Sequence, residues 1–294
     1  MRSRDRRRDP ALERARNRSR RRRLRRGAYL LPSLFTIGNM LLGFYAVVTA
    51  FRGSQELPEA GDPFFARAAL AVFIAAVLDT LDGRIARSMG TDSEFGREYD
   101  SLADLFTFGA APALVTYFWG LHTFHRIGWL VPLYYMVCTA TRLARFNVQS
   151  RSTDSRYFVG LPSPAAAGAV CSLMFYVPGG EWRDWWGGAV LAALVVAGTL
   201  EVTTFRYWSL KKLDLKKRWS YRAALPLALL VLVVALEPKA FFLAVAVIYT
   251  SAGPLAWLAG RWRSKAAPRE PEEPEKPPEA DHSAPAEGDG RESS

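Results

Sequence analysis

From Leu30 to Gly260 the chain alternates long apolar runs with short polar breaks. Eight runs approach the ~20 residues that carry a helix across a bilayer. They are Leu30–Phe51, Phe64–Ile85, Ser101–Leu121, Ile127–Ala144, Leu161–Val177, Gly187–Thr204, Arg222–Leu236 and Lys239–Gly260. A helix on the surface of a soluble domain keeps a polar face, and these runs keep too little polar surface to meet water. The pattern predicts an all-α fold, a polytopic membrane helix bundle of about eight transmembrane helices. The first run is too long for a secretory leader, and no small-residue cleavage site follows it.

Charge sharpens the boundaries. Half of the 294 residues are hydrophobic, yet the formal net charge is +11. Fourteen Arg lie within Met1–Gly27, and the tail from Arg269 is rich in Pro, Glu, Asp and Ser. Neither end holds enough apolar surface to offset the entropy of ordering. The expected organisation is an Arg-rich disordered arm over 1–27, a transmembrane domain over 28–263, and a disordered Pro/Glu-rich tail over 264–294.

Lys and Arg in short loops set orientation. With the Arg-rich start inside, the loops 86–100, 145–160 and 205–221 fall on the cytoplasmic side. They carry Arg87, Arg97, Arg145, Arg151, Arg156, Arg206, Lys211, Lys212, Lys216, Lys217 and Arg218. The expected location is the cell (cytoplasmic) membrane, with both termini and the active site on the cytoplasmic side. The two cysteines, Cys138 and Cys171, lie inside apolar runs with no partner motif, which excludes a zinc or disulfide framework.

One polar break defies the rule that acids avoid membrane edges. "DTLDGRIARSMGTDSEFGREYDSLAD" runs from Asp79 to Asp104 between two apolar stretches. Asp79 and Asp82 are spaced i, i+3, and Asp100 and Asp104 are spaced i, i+4, so each pair shares a helix face. A short connection makes the two helices antiparallel neighbours, and the pairs can then meet. Four carboxylates in a small volume repel unless cations join them. An oxygen-only donor set suits Mg²⁺, Mn²⁺ or Ca²⁺, and the charge suits two ions. Gly83 and Gly96 leave room for a ligand, and Arg84, Arg87 and Arg97 stand beside the site as phosphate partners. Carboxylates, metal and Arg together are the apparatus of phosphoryl transfer.

The string Asp79-x2-Asp82-Gly83-x2-Ala86-Arg87-x8-Gly96-x3-Asp100-x3-Asp104 resembles the signature of the CDP-alcohol phosphatidyltransferase family at every fixed position. The resemblance implies an integral membrane enzyme that moves a phosphatidyl group from a CDP-linked lipid to an alcohol and releases CMP. It further implies that Asp79, Asp82, Asp100 and Asp104 bind two divalent ions, Mg²⁺ or Mn²⁺. Asp104 is also implied as general base, and Gly83, Ala86, Arg87 and Gly96 as contacts of the CDP moiety.

Three other stretches, "LPSLFTIGNMLLGFYA" from Leu31, "TRLARFNV" from Thr141 and "FVGLPSPAAAG" from Phe158, resemble the phosphatidylserine synthase branch of that family. "EVTTFRYWSLKK" from Glu201 is a looser match. The implied substrates are CDP-diacylglycerol and L-serine, with membrane lipids as surroundings. A carboxylate-bearing acceptor calls for an Arg fork, which makes Arg142, Arg145 and the adjoining Asn147 candidates for serine binding. The competing reading makes the two Arg anchors for lipid phosphate. Thr36 and Asn39 either line the nucleotide cavity or bond neighbouring helices. Pro162 and Pro164 start or bend the fifth span.

No Lys follows two residues after His122, His125 or His282, so a phosphohistidine route has no motif here. Direct attack of the acceptor hydroxyl on phosphorus is the expectation. Another polar alcohol, glycerol phosphate or inositol phosphate, is the alternative acceptor. A transporter is the remote alternative, and no second copy of the acidic cluster suggests one. The Arg-rich arm can serve topology, anionic lipid or RNA. Nucleic acid has no place in the expected reaction, and a homodimer stays open.

Overall fold

A computed structural model describes residues 34–89, 94–149, 157–177, 182–208, 228 and 232–266. The Arg-rich arm, the tail from 267 and most of the seventh apolar run lie outside the described residues, as do parts of the three basic loops.

The described chain is a helical bundle. Its helices are α1 (Leu34–Gln55), α2 (Pro58–Met89), α3 (Glu94–Asp104), α4 (Ala111–Trp119), α5 (His125–Gln149), α6 (Ser163–Tyr176), α7 (Trp182–Val202) and α8 (Pro238–Ala266). Residues 232–236 are also helical. Seven of the eight apolar runs thus fall on helices, with ends shifted by a few residues. Leu34–Gln55, Asp62–Leu81, Glu94–Trp119 and Pro238–Ala259 are each long and apolar enough to cross a membrane. The protein is an integral membrane protein. At fourteen residues α6 rises only about 21 Å, too short to cross the hydrocarbon by itself.

The sequence pattern predicts no strand, yet Tyr157–Val159 (β1) and Arg206–Trp208 (β2) pair antiparallel, Phe158 opposite Tyr207. Aromatic and β-branched side chains favour extended backbone there, and Gly160 and Pro162 prevent an early start to α6. Pro162 is extended (φ −61°, ψ 135°) and caps α6, while Pro164 sits in its first turn, as Pro does where no N–H is required.

α6 is the centre of the packing. Ala166, Ala167, Val170, Cys171 and Met174 are buried among α2, α4, α7 and α8. Small side chains allow helices to approach closely in a membrane. Cys171 and Cys138 are buried packing residues. Phe73 of α2 stacks on Phe242 of α8 at 4.4 Å between centroids, with Phe175 of α6 edge-on to both. Leu41, Phe44, Val77, Ile248 and Leu255 face outward, as lipid-facing residues do.

Side-chain and backbone pairs place the starts of α1, α3 and α6 at the same end of the bundle as the ends of α2, α5 and α7. The acidic cluster lies at that end.

Candidate active site

Two turns of α3 and the last third of α2 build the acidic centre. One carboxylate oxygen from each of Asp79, Asp100 and Asp104 lies within 4.8 Å of the others, and all three side chains are half-buried. At this spacing each pair of charges repels by about 3 kcal/mol at an effective dielectric constant near 20. Three close carboxylates with only oxygen donors fit a hard divalent cation, which removes that repulsion. Asp82 follows Asp79 by one turn on the same helix. The side chains of Asp82, Arg84, Ala86 and Arg87, and the surroundings of Gly83, lie outside the described ones. Gly96 sits on α3, two turns before Asp104.

α1 supports the cluster from the side. Thr36 Oγ1 donates to Asp100 Oδ1 at 3.4 Å, and Asn39 Nδ2 donates to Asp104 Oδ1 at 3.3 Å. Both residues are buried. Neither expectation for them was complete: they bond across helices, and their partners are the acids themselves. Thr107 Oγ1 in turn donates to the Asn39 carbonyl at 3.2 Å. A Cβ on Gly43 would stand 2.9 Å from Thr107 Oγ1, so glycine permits this approach of α1.

Directly after Asp104 the helix widens into a π-turn over Leu105–Ala110. Pro112 explains it. In an α-helix the N–H of residue 112 would bond Phe108 O, and proline has none. Tyr135 of α5 supplies the missing donor, its hydroxyl reaching Phe108 O at 2.8 Å. A π-turn inside a helix often marks a functional site, and here it joins the acid-bearing half of the helix to the apolar half.

The second half of the site comes from three separated segments. Arg142 of α5 is buried and donates from Nη1 to Ser163 Oγ at 2.9 Å. Its Nε is buried without a hydrogen-bond partner. Its electrostatic partners are Glu201, Asp104, Arg145 and Asp79, in decreasing order. Arg142 therefore lies within electrostatic reach of both the acidic cluster and Glu201, the last acid of α7.

Arg145 does something else. It donates to Val202 O at 2.9 Å, Val159 O at 3.2 Å and Thr203 O at 3.3 Å. Asn147 pairs with Ser101 at 3.0 Å and Glu98 at 3.3 Å. Both were expected as serine-binding candidates beside Arg142, and both are committed to protein partners. Arg142 is buried, and Arg145 faces backbone carbonyls.

Gly160 completes the frame. Its φ is +82°, a left-handed value that suits glycine, and any Cβ there would collide with Glu201 O. Gly160 N donates to Phe205 O at 2.8 Å, and Leu161 N donates to Leu200 O at 3.0 Å. The "TRLARF", "FVGLPSP" and "EVTTFRYW" segments thus fold into one unit beside the acids.

With that arrangement in view, comparison with known proteins is specific. The family model for CDP-alcohol phosphatidyltransferase matches residues 29–193. The chain belongs to the CDP-alcohol phosphatidyltransferase family. A Helicobacter pylori relative named CDP-diacylglycerol–serine O-phosphatidyltransferase is 35% identical over 239 residues, covering 78% of this chain and 92% of the relative. A Mycobacterium tuberculosis protein of the same name is 38% identical over 183 residues, 60% of this chain and 59% of its own. One from Bacillus subtilis is 34% identical over 145 residues, 49% and 75% respectively. CDP-alcohol phosphatidyltransferases are metal-dependent, in keeping with the oxygen donors of Asp79, Asp100 and Asp104.

Reasoning from the sequence missed Ser163, Tyr135 and Glu201 of this phosphatidyltransferase. Glu201 carried a usable signal. It is the one acid in the Gly187–Thr204 run, and an ionisable residue within an apolar span is a functional candidate by default.

Proposed function

We propose that this protein transfers the phosphatidyl group of CDP-diacylglycerol to the hydroxyl of L-serine, giving phosphatidylserine and CMP. The observation that carries the reading is the junction of two halves: an acidic cluster of the family type, and beside it a buried Arg142 framed by the three segments that resemble the serine branch. The names of the relatives agree with it.

Asp79, Asp82, Asp100 and Asp104 would hold two divalent ions, Mg²⁺ or Mn²⁺. When bound, such ions supply charge neutralisation at the pyrophosphate and at the leaving CMP. The remaining steps fall to the chain. Arg142 binds the serine carboxylate, and the Ser163 hydroxyl holds its guanidinium in place. Asp104 accepts the proton of the serine hydroxyl as its oxygen attacks the lipid-bearing phosphorus. The new bond is serine oxygen to phosphorus. The bond broken joins that phosphorus to the bridging oxygen, which leaves with its electron pair on CMP. Asn39 and Thr36 hold Asp104 and Asp100 for this work. Gly83, Ala86, Arg87 and Gly96 contact the CDP moiety.

The reaction is placed at the cytoplasmic edge of the cell membrane. The basic loops support that side, and the diacylglycerol tails can remain in lipid while serine arrives from water. The test offers purified protein CDP-diacylglycerol and Mg²⁺ or Mn²⁺ with serine, glycerol 3-phosphate or inositol phosphate in separate reactions. CMP release only with serine is the expected result. Release with one of the other acceptors alone would move the assignment to that alcohol.

A further inference from the structure

Glu201 is fully buried, and neither of its carboxylate oxygens accepts a hydrogen bond of good geometry, although the Thr139 hydroxyl lies within reach. A buried carboxylate in this condition is costly unless a cation meets it or it takes up a proton. The neighbouring donors are engaged elsewhere. Thr139 Oγ1 donates to Tyr135 O at 3.1 Å, and the Tyr135 hydroxyl donates to Phe108 O at 2.8 Å. Arg142 is Glu201's charged neighbour, yet its hydrogen bond goes to Ser163 instead. A structural ion pair would have closed that gap.

The backbone that carries this carboxylate is nevertheless held firmly. Leu161 N bonds Leu200 O, Arg145 bonds Val202 O and Thr203 O, and Gly160 packs on the Glu201 carbonyl itself. Backbone bonds on both sides of an unpartnered acid are the mark of a preorganised binding group. Glu201 also lies beyond residues 29–193, the part matched by the family model.

We infer that Glu201 binds the ammonium group of the acceptor, opposite Arg142, so that the site selects an amino acid bearing a hydroxyl. This rests on the serine reading and deepens it. An ammonium offers three donors and no acceptor, which matches a carboxylate with both oxygens open. Arg142 faces the acceptor carboxylate. Asp104, also a charged neighbour of Arg142, faces the hydroxyl. Three acceptor groups then meet three protein groups of complementary kind.

The experiment compares wild type with Glu201→Gln, which keeps the shape and removes the charge. Steady-state CMP release is measured against serine, against glycerate (hydroxyl in place of the ammonium) and against CDP-diacylglycerol. Expected for Glu201→Gln is a serine KM raised about ten- to hundred-fold, the range for losing a charge-assisted hydrogen bond. The KM for CDP-diacylglycerol stays within about two-fold, and the preference for serine over glycerate shrinks by the same factor as the serine KM rises. An unchanged serine KM, or an unchanged serine-to-glycerate ratio, overturns the inference. If wild type itself ignores serine, the serine reading fails, and that failure is visible before the variant is measured. Should Glu201→Gln not fold, judged by its melting temperature in detergent, Glu201→Asp takes its place. It retains the charge at a shorter reach, so it must keep the serine preference while raising the serine KM. Loss of that preference in Glu201→Asp, with folding intact, also overturns the inference.

Discussion

Asn39 on α1 donates its side-chain amide to Asp104 on α3 at 3.3 Å, across sixty-five positions of sequence. That bond ties the proposed general base to a helix which contributes no acid of its own. Partners of this kind fix the orientation of a carboxylate and typically change metal affinity or activity by about 10–100-fold when lost. Asn39→Ala is expected to lower kcat about ten-fold and to raise the Mg²⁺ or Mn²⁺ needed for half-maximal activity. A titration of CMP release against metal concentration checks both. Unaltered metal dependence would restrict Asn39 to helix packing.

Chelation tests the cluster as a whole, and two substitutions test its parts. Activity should vanish in EDTA and return with Mg²⁺ or Mn²⁺. Asp104→Asn should abolish turnover while CDP-diacylglycerol binding persists, because an amide cannot take the serine proton. Asp79→Asn should weaken metal binding as well. Near-normal turnover in Asp104→Asn would assign the base to another group.

Arg142 and Arg145 lie one turn apart and look equivalent in sequence, yet they make opposite contacts. Arg142→Lys keeps a charge and loses the planar fork. It should raise the serine KM well above any change in the CDP-diacylglycerol KM. Arg145→Lys should instead lower the melting temperature and affect both substrates alike, because three backbone carbonyls lose their shared donor. A serine-selective effect at Arg145, with none at Arg142, would reverse the two roles.

What the sequence displays and what it conceals follow from the physics. The four Asp are legible because i, i+3 and i, i+4 spacing fixes a common face before any packing is known. The roles of Arg142 and Arg145 are not, since three positions on a helix leave both near one face and only the neighbours distinguish them. Glu201 shows in the sequence as the one acid of an apolar run, but its closeness to Arg142 depends on packing between α5 and α7. The β1–β2 pair is too short, at three residues a strand, to leave a periodic signal. The π-turn after Asp104 has a local cause in Pro112, but its completion needs Tyr135, a contact that no local pattern contains.

Gly160 provides a test of the frame that holds the second half of the site. With φ at +82° and Glu201 O where a side chain would begin, Gly160→Ala is strained and crowded at once. Left-handed backbone costs about 1–2 kcal/mol for a residue with a Cβ, and the collision adds to it. The melting temperature should fall and the serine KM should rise, with the CDP-diacylglycerol KM less affected. Wild-type stability in Gly160→Ala would show that the loop relaxes without moving α7.

The last prediction concerns the side of the membrane. The ends of α2, α5 and α7 and the starts of α1, α3 and α6 share one end of the bundle, so the acids, Arg142 and Glu201 all lie toward that end. Lys and Arg in the loops at that end make the cytoplasm its expected side. Charged groups at membrane depth are tolerated where ions and water reach them, so the expected depth of the acidic cluster is just inside the boundary of the hydrocarbon. Ser93 lies in the link between α2 and α3. A cysteine there, with Cys138 and Cys171 replaced by Ala, should react with a membrane-impermeant thiol reagent in inside-out vesicles and remain unlabelled in intact cells. Labelling in intact cells would invert the bundle, and serine would then have to enter from outside.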